Sequence, residues 1–287
     1  MNYPRRFIFH ANATGVSAHI RCPEESILEV QGASALPVIG GFSTSKVGAK
    51  NLPVPKTVHD DEIKFSDYLR FDSVETTASG DFADKKKAIA ISLGKLAPDA
   101  VPTTATVTSK VQGFRVADIF EATLAQIGII SSANPKATEP SIQLKGNKLE
   151  GVKVAGFELK VTLDEDLFNK YDTLEKLQAA YEKGLPKERM EMFHRSPNSR
   201  SKKLQMSKGL AYATIIRKLE WVNGKPEGLK ELGVNAFSLK GFGDVYLGEL
   251  LISSASRRLT MIRIQFGYPI GGEASAAEGE ANGSHWP

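Results

Sequence analysis

The chain has 287 residues, 41% of them hydrophobic and 24% charged, with a formal net charge of +4; this is the composition of a folded globular protein and excludes disordered, collagen-like and disulfide-framework classes. Its single cysteine, Cys22, excludes an internal disulfide and a thiolate metal cluster within one chain and fits a reducing compartment. No run of about 18 apolar residues occurs, so no membrane-spanning helix is expected, and MNYPRRFIFHANATGVSA is a poor signal peptide because His10, Asn12 and Thr14 interrupt its apolar stretch. A cytoplasmic location is expected, with export without a conventional signal peptide as the alternative.

In chain order, the opening alternates Phe7, Phe9, Ala11, Ala13 and then Val16, Ala18, Ile20, Cys22, which predicts a hairpin turning at Thr14 and Gly15. Residues 32–58, rich in Gly, Pro, Ser and Lys, predict a long ordered loop with at most short edge strands. Strand alternation resumes at Lys87 to Leu93 and at Thr104 to Val111. Between Arg115 and Gly128 the apolar residues fit a helix and a strand equally, and periodicity does not decide between them. A second hairpin is centred on Ala155 and Gly156. The string Asp164, Glu165, Asp166 suits the first turn of a helix, where negative charge meets the helix dipole. A longer helix follows near 172–183, with Asp172 as its cap, Glu175 at the reciprocal capping position and Leu174, Leu177 and Tyr181 on one face; Gly184 and Pro186 stop it.

A basic loop near 184–208 comes next, then a long strand from Leu210 to Val222. Phe242 to Ile252 and Leu259 to Phe266 form a hairpin whose two faces both carry apolar residues, which predicts strands covered on both sides. Small and acidic residues from 269 to 287 predict a disordered acidic tail. The fold class expected is mainly β, an antiparallel sandwich or barrel-like sheet with one or two short helices and long loops, with α+β as the alternative. Residues 1–268 are expected to form one β-rich domain.

Residues 183–208 hold eight Lys or Arg and two Glu, a net +6, whereas the rest of the chain nets −2. Arg195, Arg200, Lys202 and Lys203 at the centre of this stretch are the candidate contacts for an anionic partner, a nucleic acid or a lipid surface. The predicted first hairpin sets His10 opposite His19, but no third ligand is spaced to complete a metal site. The string His59, Asp60, Asp61, Glu62 alternates faces if extended, so it reads as solvated charge. Glu249 interrupts an apolar row and must be paired; Arg217, which interrupts another, is the partner expected, with Arg263 assigned to the opposite face.

There is no Walker loop, dinucleotide glycine fingerprint, nucleophile elbow or HExxH pair, and neither cofactor nor metal is expected. The function expected is therefore a non-enzymatic β-rich binding or structural assembly module, acting by self-association or on a macromolecular partner. The alternatives are a hydrolase using Glu249 or Asp244 as acid and base in a sheet-end pocket, and an anionic-partner binder acting through the basic loop at 189–208.

Overall fold

The computed structural model describes residues 6–22, 25–51, 69–82, 84–95, 101–134, 136–185, 189–191, 210–267 and 271–286. Two antiparallel sheets pack face to face as a β sandwich. The first is ordered β11 (Met190–Glu191), β12 (Leu210–Thr214), β16 (Gly243–Ser253), β17 (Ser256–Phe266), β18 (Gly272–Trp286), β1 (Arg6–Ile20), β2 (Ser26–Ala35), with β15 (Ala236–Leu239) and β14 (Leu229–Gly233) added beside β16. The second is ordered β13 (Ile216–Trp221), β10 (Phe157–Leu163), β9 (Val152–Val154), β6 (Phe120–Ala133), β5 (Thr103–Val116), β4 (Leu69–Phe82), β3 (Gly41–Asn51). Short strands β7 (Ser141–Leu144) and β8 (Lys148–Glu150) also pair with β6. Among the described residues three short helices accompany the sheets: α1 (Lys85–Ser92), α2 (Asp166–Lys170) and α3 (Leu174–Glu182).

Period-2 alternation builds these strands. In β5, Ala105, Val107 and Val111 are buried while Thr104, Thr106 and Thr108 face outward. The inward side chains of both sheets join in one contiguous apolar cluster. At one edge the chain passes between sheets at Ile215, whose N–H donates to Gly248 O at 3.0 Å while its carbonyl accepts from Asp164 N at 2.9 Å. The other edge is closed by the turn from β2 into β3, where Gly40 N donates to Pro37 O at 2.9 Å.

The alternation changes phase along one row of the first sheet. Buried positions run Val245, Leu247 and then Leu250, Ile252 on β16; Leu259, Met261 and then Ile262, Ile264 on β17; Ala274, Ala276 and then Ala277, Ala281 on β18; and Ala11, Ala13 and then Val16, Ala18 on β1. Extending the registers aligns Gly248, Met261, Ala277, Gly15 and Gly32 as one transverse crease across five strands. Gly248, at φ 58°, takes the left-handed conformation that the phase change needs there. A Cβ on Gly15 would lie 2.0 Å from Val74 Cγ1 and one on Gly32 2.4 Å from the same atom, so this stretch of the crease presses inward on the second sheet.

The crease corrects several expectations. Thr14 and Gly15 are not a turn: β1 is continuous, Gly15 leaves room for Val74, and His10 and His19 lie on one strand rather than opposite each other. The hairpin of β16 and β17 exists with a two-residue connection, but its apolar "second face" of Leu250, Ile252, Leu259 and Met261 is the same inner face beyond the crease, so only one side is covered. The ambiguous residues 115–128 comprise the end of β5, a turn and the start of β6, whose inward positions Phe120, Ala122, Ala125 and Ile127 change phase near Thr123 and so imitate a helical period.

The expected disordered tail is instead β18, an interior strand paired with both β1 and β17. Its small residues permit close packing, since a Cβ on Gly279 would stand 2.3 Å from Ile127 Cδ1 and 2.6 Å from Val107 Cγ1. Residues 32–58 are expected to be a long ordered loop with at most short edge strands; instead 32–35 end β2 and 41–51 form β3, edge strands of 10 and 11 residues, and 52–58 lie outside the described residues. Lys87 to Leu93, read as a strand, falls mostly in α1, whose first amides at Lys86 and Lys87 donate to Asp84 Oδ1. Leu210 to Val222 is two strands broken at Ile215, one in each sheet. The hairpin at Ala155 and Gly156 and the helix after Asp172 stand as expected, except that Thr173 is the cap and Asp172 instead accepts from Ser141 Oγ at 2.5 Å and Lys176 Nζ at 2.7 Å.

Candidate functional site

Outward side chains on a strand normally recur every second residue, but across the crease they are three apart: Tyr246 to Glu249, Thr260 to Arg263, Ser275 to Glu278 and Thr14 to Ser17. The missing row leaves a trough of 1030 Å³ running across the outer face of the first sheet. Glu249, Thr260 and Glu278 line one side of the crease, and Tyr246, Arg263, Ser275 and Ser17 the other. Leu210, Tyr212 and Leu251 lie at the β12 end and Ile27 and Val30 at the β2 end. Six strands at a spacing of about 4.8 Å make the trough roughly 24 Å long, enough for several units of an extended polymer.

One ion pair bridges it. Arg263 Nε donates to Glu249 Oε2 at 2.6 Å and Nη2 to Oε1 at 2.7 Å, and the Tyr212 hydroxyl also donates to Oε1. Glu249 is only 7% exposed, so both its oxygens need partners, and all are supplied from the two flanking strands. The Arg263 guanidinium also stacks over the Tyr246 ring, 4.1 Å from its centroid. Burial, reinforced by the Glu249 carboxylate, pushes the Tyr212 phenol well above its ordinary pKa, and hydrogen bonding to Glu249 holds Arg263 more firmly cationic. Further along, Arg258 pairs with Glu278, Thr260 Oγ1 donates to Glu278 Oε2 at 3.3 Å, and Ser17 and Ser275 share a 2.8 Å hydrogen bond.

The structure keeps Glu249 as a paired carboxylate and corrects its partner. Arg217 lies on β13 of the other sheet, exposed; Arg263 takes the role because the phase change carries Glu249 and Arg263 to the same outer face. Asp244 is at the next outward position beyond Tyr246, whose hydroxyl donates to it at 3.5 Å. His19 pairs with Glu25 at 2.9 Å near the β2 end. Among the described residues no group of three His, Cys, Asp or Glu side chains is placed to hold a metal ion. Arg195, Arg200, Lys202 and Lys203, and His59 to Glu62, lie outside the described residues. The basic stretch does contribute Arg189, a buried side chain that donates to Asp164 Oδ2 at 2.5 Å and stacks over Phe168.

Sequence reasoning missed Tyr212, Tyr246, Arg258 and Glu278. The signals that mark the crease are Gly248 inside an apolar strand and the adjacent apolar pair Met261 and Ile262.

The chain belongs to a family described as a domain of unknown function, DUF8256, whose model matches residues 7–253. That range ends with β16, so Arg258, Arg263 and Glu278 stand on strands after it. No curated protein and no solved structure matches the chain.

Proposed function

We propose that this member of the family is a non-enzymatic β-sheet binding module whose recognition surface is the transverse trough. The observation that carries the reading is the crease itself: a sheet that drops one outward row on each of four neighbouring strands presents a concave, polymer-length surface between paired side chains. The aliphatic ends at Ile27, Val30, Leu210 and Leu251 supply apolar area, and the polar middle supplies hydroxyls and planar groups for orientation.

Hydrolysis fits the trough less well. A general acid or base needs an oxygen free to exchange a proton, whereas both Glu249 oxygens are engaged by Arg263 and Tyr212. A polyanion fits poorly too. The trough holds Glu249, Glu273 and Glu278 against Arg258 and Arg263, and both guanidiniums already pair with carboxylates.

The test combines a panel of hydrolase substrates with arrays of immobilised oligosaccharides and peptides. Retention on an array without turnover is expected. Turnover that Glu249→Gln abolishes, or no retention on either array, contradicts the reading.

A further inference from the structure

The turn between β2 and β3 carries the wrong residues for a solvated turn. Its two tip positions, closed by the hydrogen bond from Gly40 N to Pro37 O, are Val38 and Ile39, which are 61% and 83% exposed. Phe42, three residues after Ile39, is 66% exposed. Turn tips ordinarily take Gly, Asn, Asp or Ser, and neither aliphatic side chain serves the core, so an apolar tip points to a function outside the fold.

The topology adds charge at the same end. Gly41 pairs with Gly80, two residues before β4 ends at Phe82, and α1 starts three residues later. Lys86 and Lys87 on α1 and Lys95 after it are exposed, and Leu93 beside them is 62% exposed. Of the nearby carboxylates, Asp81 accepts from Phe82 N at 2.8 Å, and Asp84 caps α1 through Oδ1 while its Oδ2 lies 4.0 Å from Lys87 Nζ, an exposed contact that a headgroup phosphate can replace.

We infer that this end of the sandwich docks on an anionic lipid bilayer, with Val38, Ile39 and Phe42 entering the boundary of the acyl region and Lys86, Lys87 and Lys95 resting on the headgroups. Apolar side chains at the same end as a group of lysines match a surface that is apolar within and negative at its rim. A second copy meeting through the same end would set these lysines against one another, and four side chains are too few for a stable protein interface. The inference stands independently of the trough.

Sedimentation of the full chain with vesicles tests it. Co-sedimentation with phosphatidylcholine vesicles containing phosphatidylserine is expected, weakening with salt. Ile39→Ser combined with Phe42→Ser lowers binding to every vesicle, while Lys86→Gln with Lys87→Gln lowers it roughly 30-fold on the anionic vesicles only. All four side chains are exposed, and unchanged thermal melting verifies that the variants fold. Failure of the unmodified chain to sediment, or binding indifferent to both variants, overturns the inference. So does lipid-free self-association that Ile39→Ser abolishes, which would make a second copy the occupant.

Discussion

Both sheets are creased, but in opposite senses. In the first sheet the out-of-phase positions at Gly15 and Gly32 press inward onto Val74, and the outer face is left with a gap. In the second, the corresponding row runs through Asp72, Gly113, Thr123 and Gly151, and side chains cover it from outside. A Cβ on Gly113, at φ 64°, would lie 2.0 Å from Asp72 Oδ2, and one on Gly151 the same distance from Thr123 Oγ1. The same irregularity thus gives a trough on one face and a filled surface on the other. What differs is whether the spare residue enters the core or the solvent layer.

The largest expected effect separates the two creases directly. Gly15→Ala sets a methyl against Val74 and, 2.4 Å away, the Gln31 carbonyl oxygen, neither of which has room to withdraw; a loss of about 3 kcal/mol is expected in urea unfolding. Gly113→Ala meets a carboxylate that can swing into water, so only the left-handed backbone is penalised, by about 1 kcal/mol. Equal losses would remove the distinction between inward and outward creases.

Next in size is the bridge over the trough. Glu249→Ala leaves Arg263 partly buried without its partner and is expected to cost about 2 kcal/mol, less than a fully buried pair because Arg263 keeps 30% of its side chain exposed. A double-mutant cycle on Glu249 and Arg263 should show clear coupling, whereas Lys46 and Glu75 on the second sheet, 71% and 46% exposed, should show none. Tyr212→Phe removes one hydrogen bond to Glu249 and is expected to cost about 1 kcal/mol.

The smallest effect is a pH dependence. Although burial alone would raise its pKa, Asp164 is held below the ordinary carboxylate range by its hydrogen bond from Arg189. A folded-state pKa below the unfolded value of about 3.9 means that this contribution is complete above that value and is lost as pH falls through the folded pKa. Asp164→Asn should therefore flatten the acid limb of stability below about pH 4 and leave its slope near neutrality unchanged.

Most strands were legible where alternation is regular and illegible where it changes phase, although the regular alternation of Lys87 to Leu93 belongs mostly to α1. β5 and the hairpin at Ala155 follow from their spacing, and the helix after Asp172 from its capping and stop residues. One skipped residue was enough to turn the inner face of β16 into two apparent apolar faces and to assign Glu249 to Arg217. The tail failed for another reason: Ala274, Ala276, Gly279 and Ala281 have the composition of disorder, yet their smallness is what lets β18 lie close to Val107 and Ile127. Packing demands of that kind are set by distant strands and leave no local signature.

The central claim, that the inward crease creates the recognition surface, is tested most directly by adding the same bulk to each outer face. Ser275→Trp fills the trough, while Thr106→Trp places an equal side chain on the outer face of β5. Comparison on the oligosaccharide and peptide arrays should show retention abolished by Ser275→Trp and kept by Thr106→Trp. Retention unaffected by Ser275→Trp, or lost equally in both variants, would contradict the account.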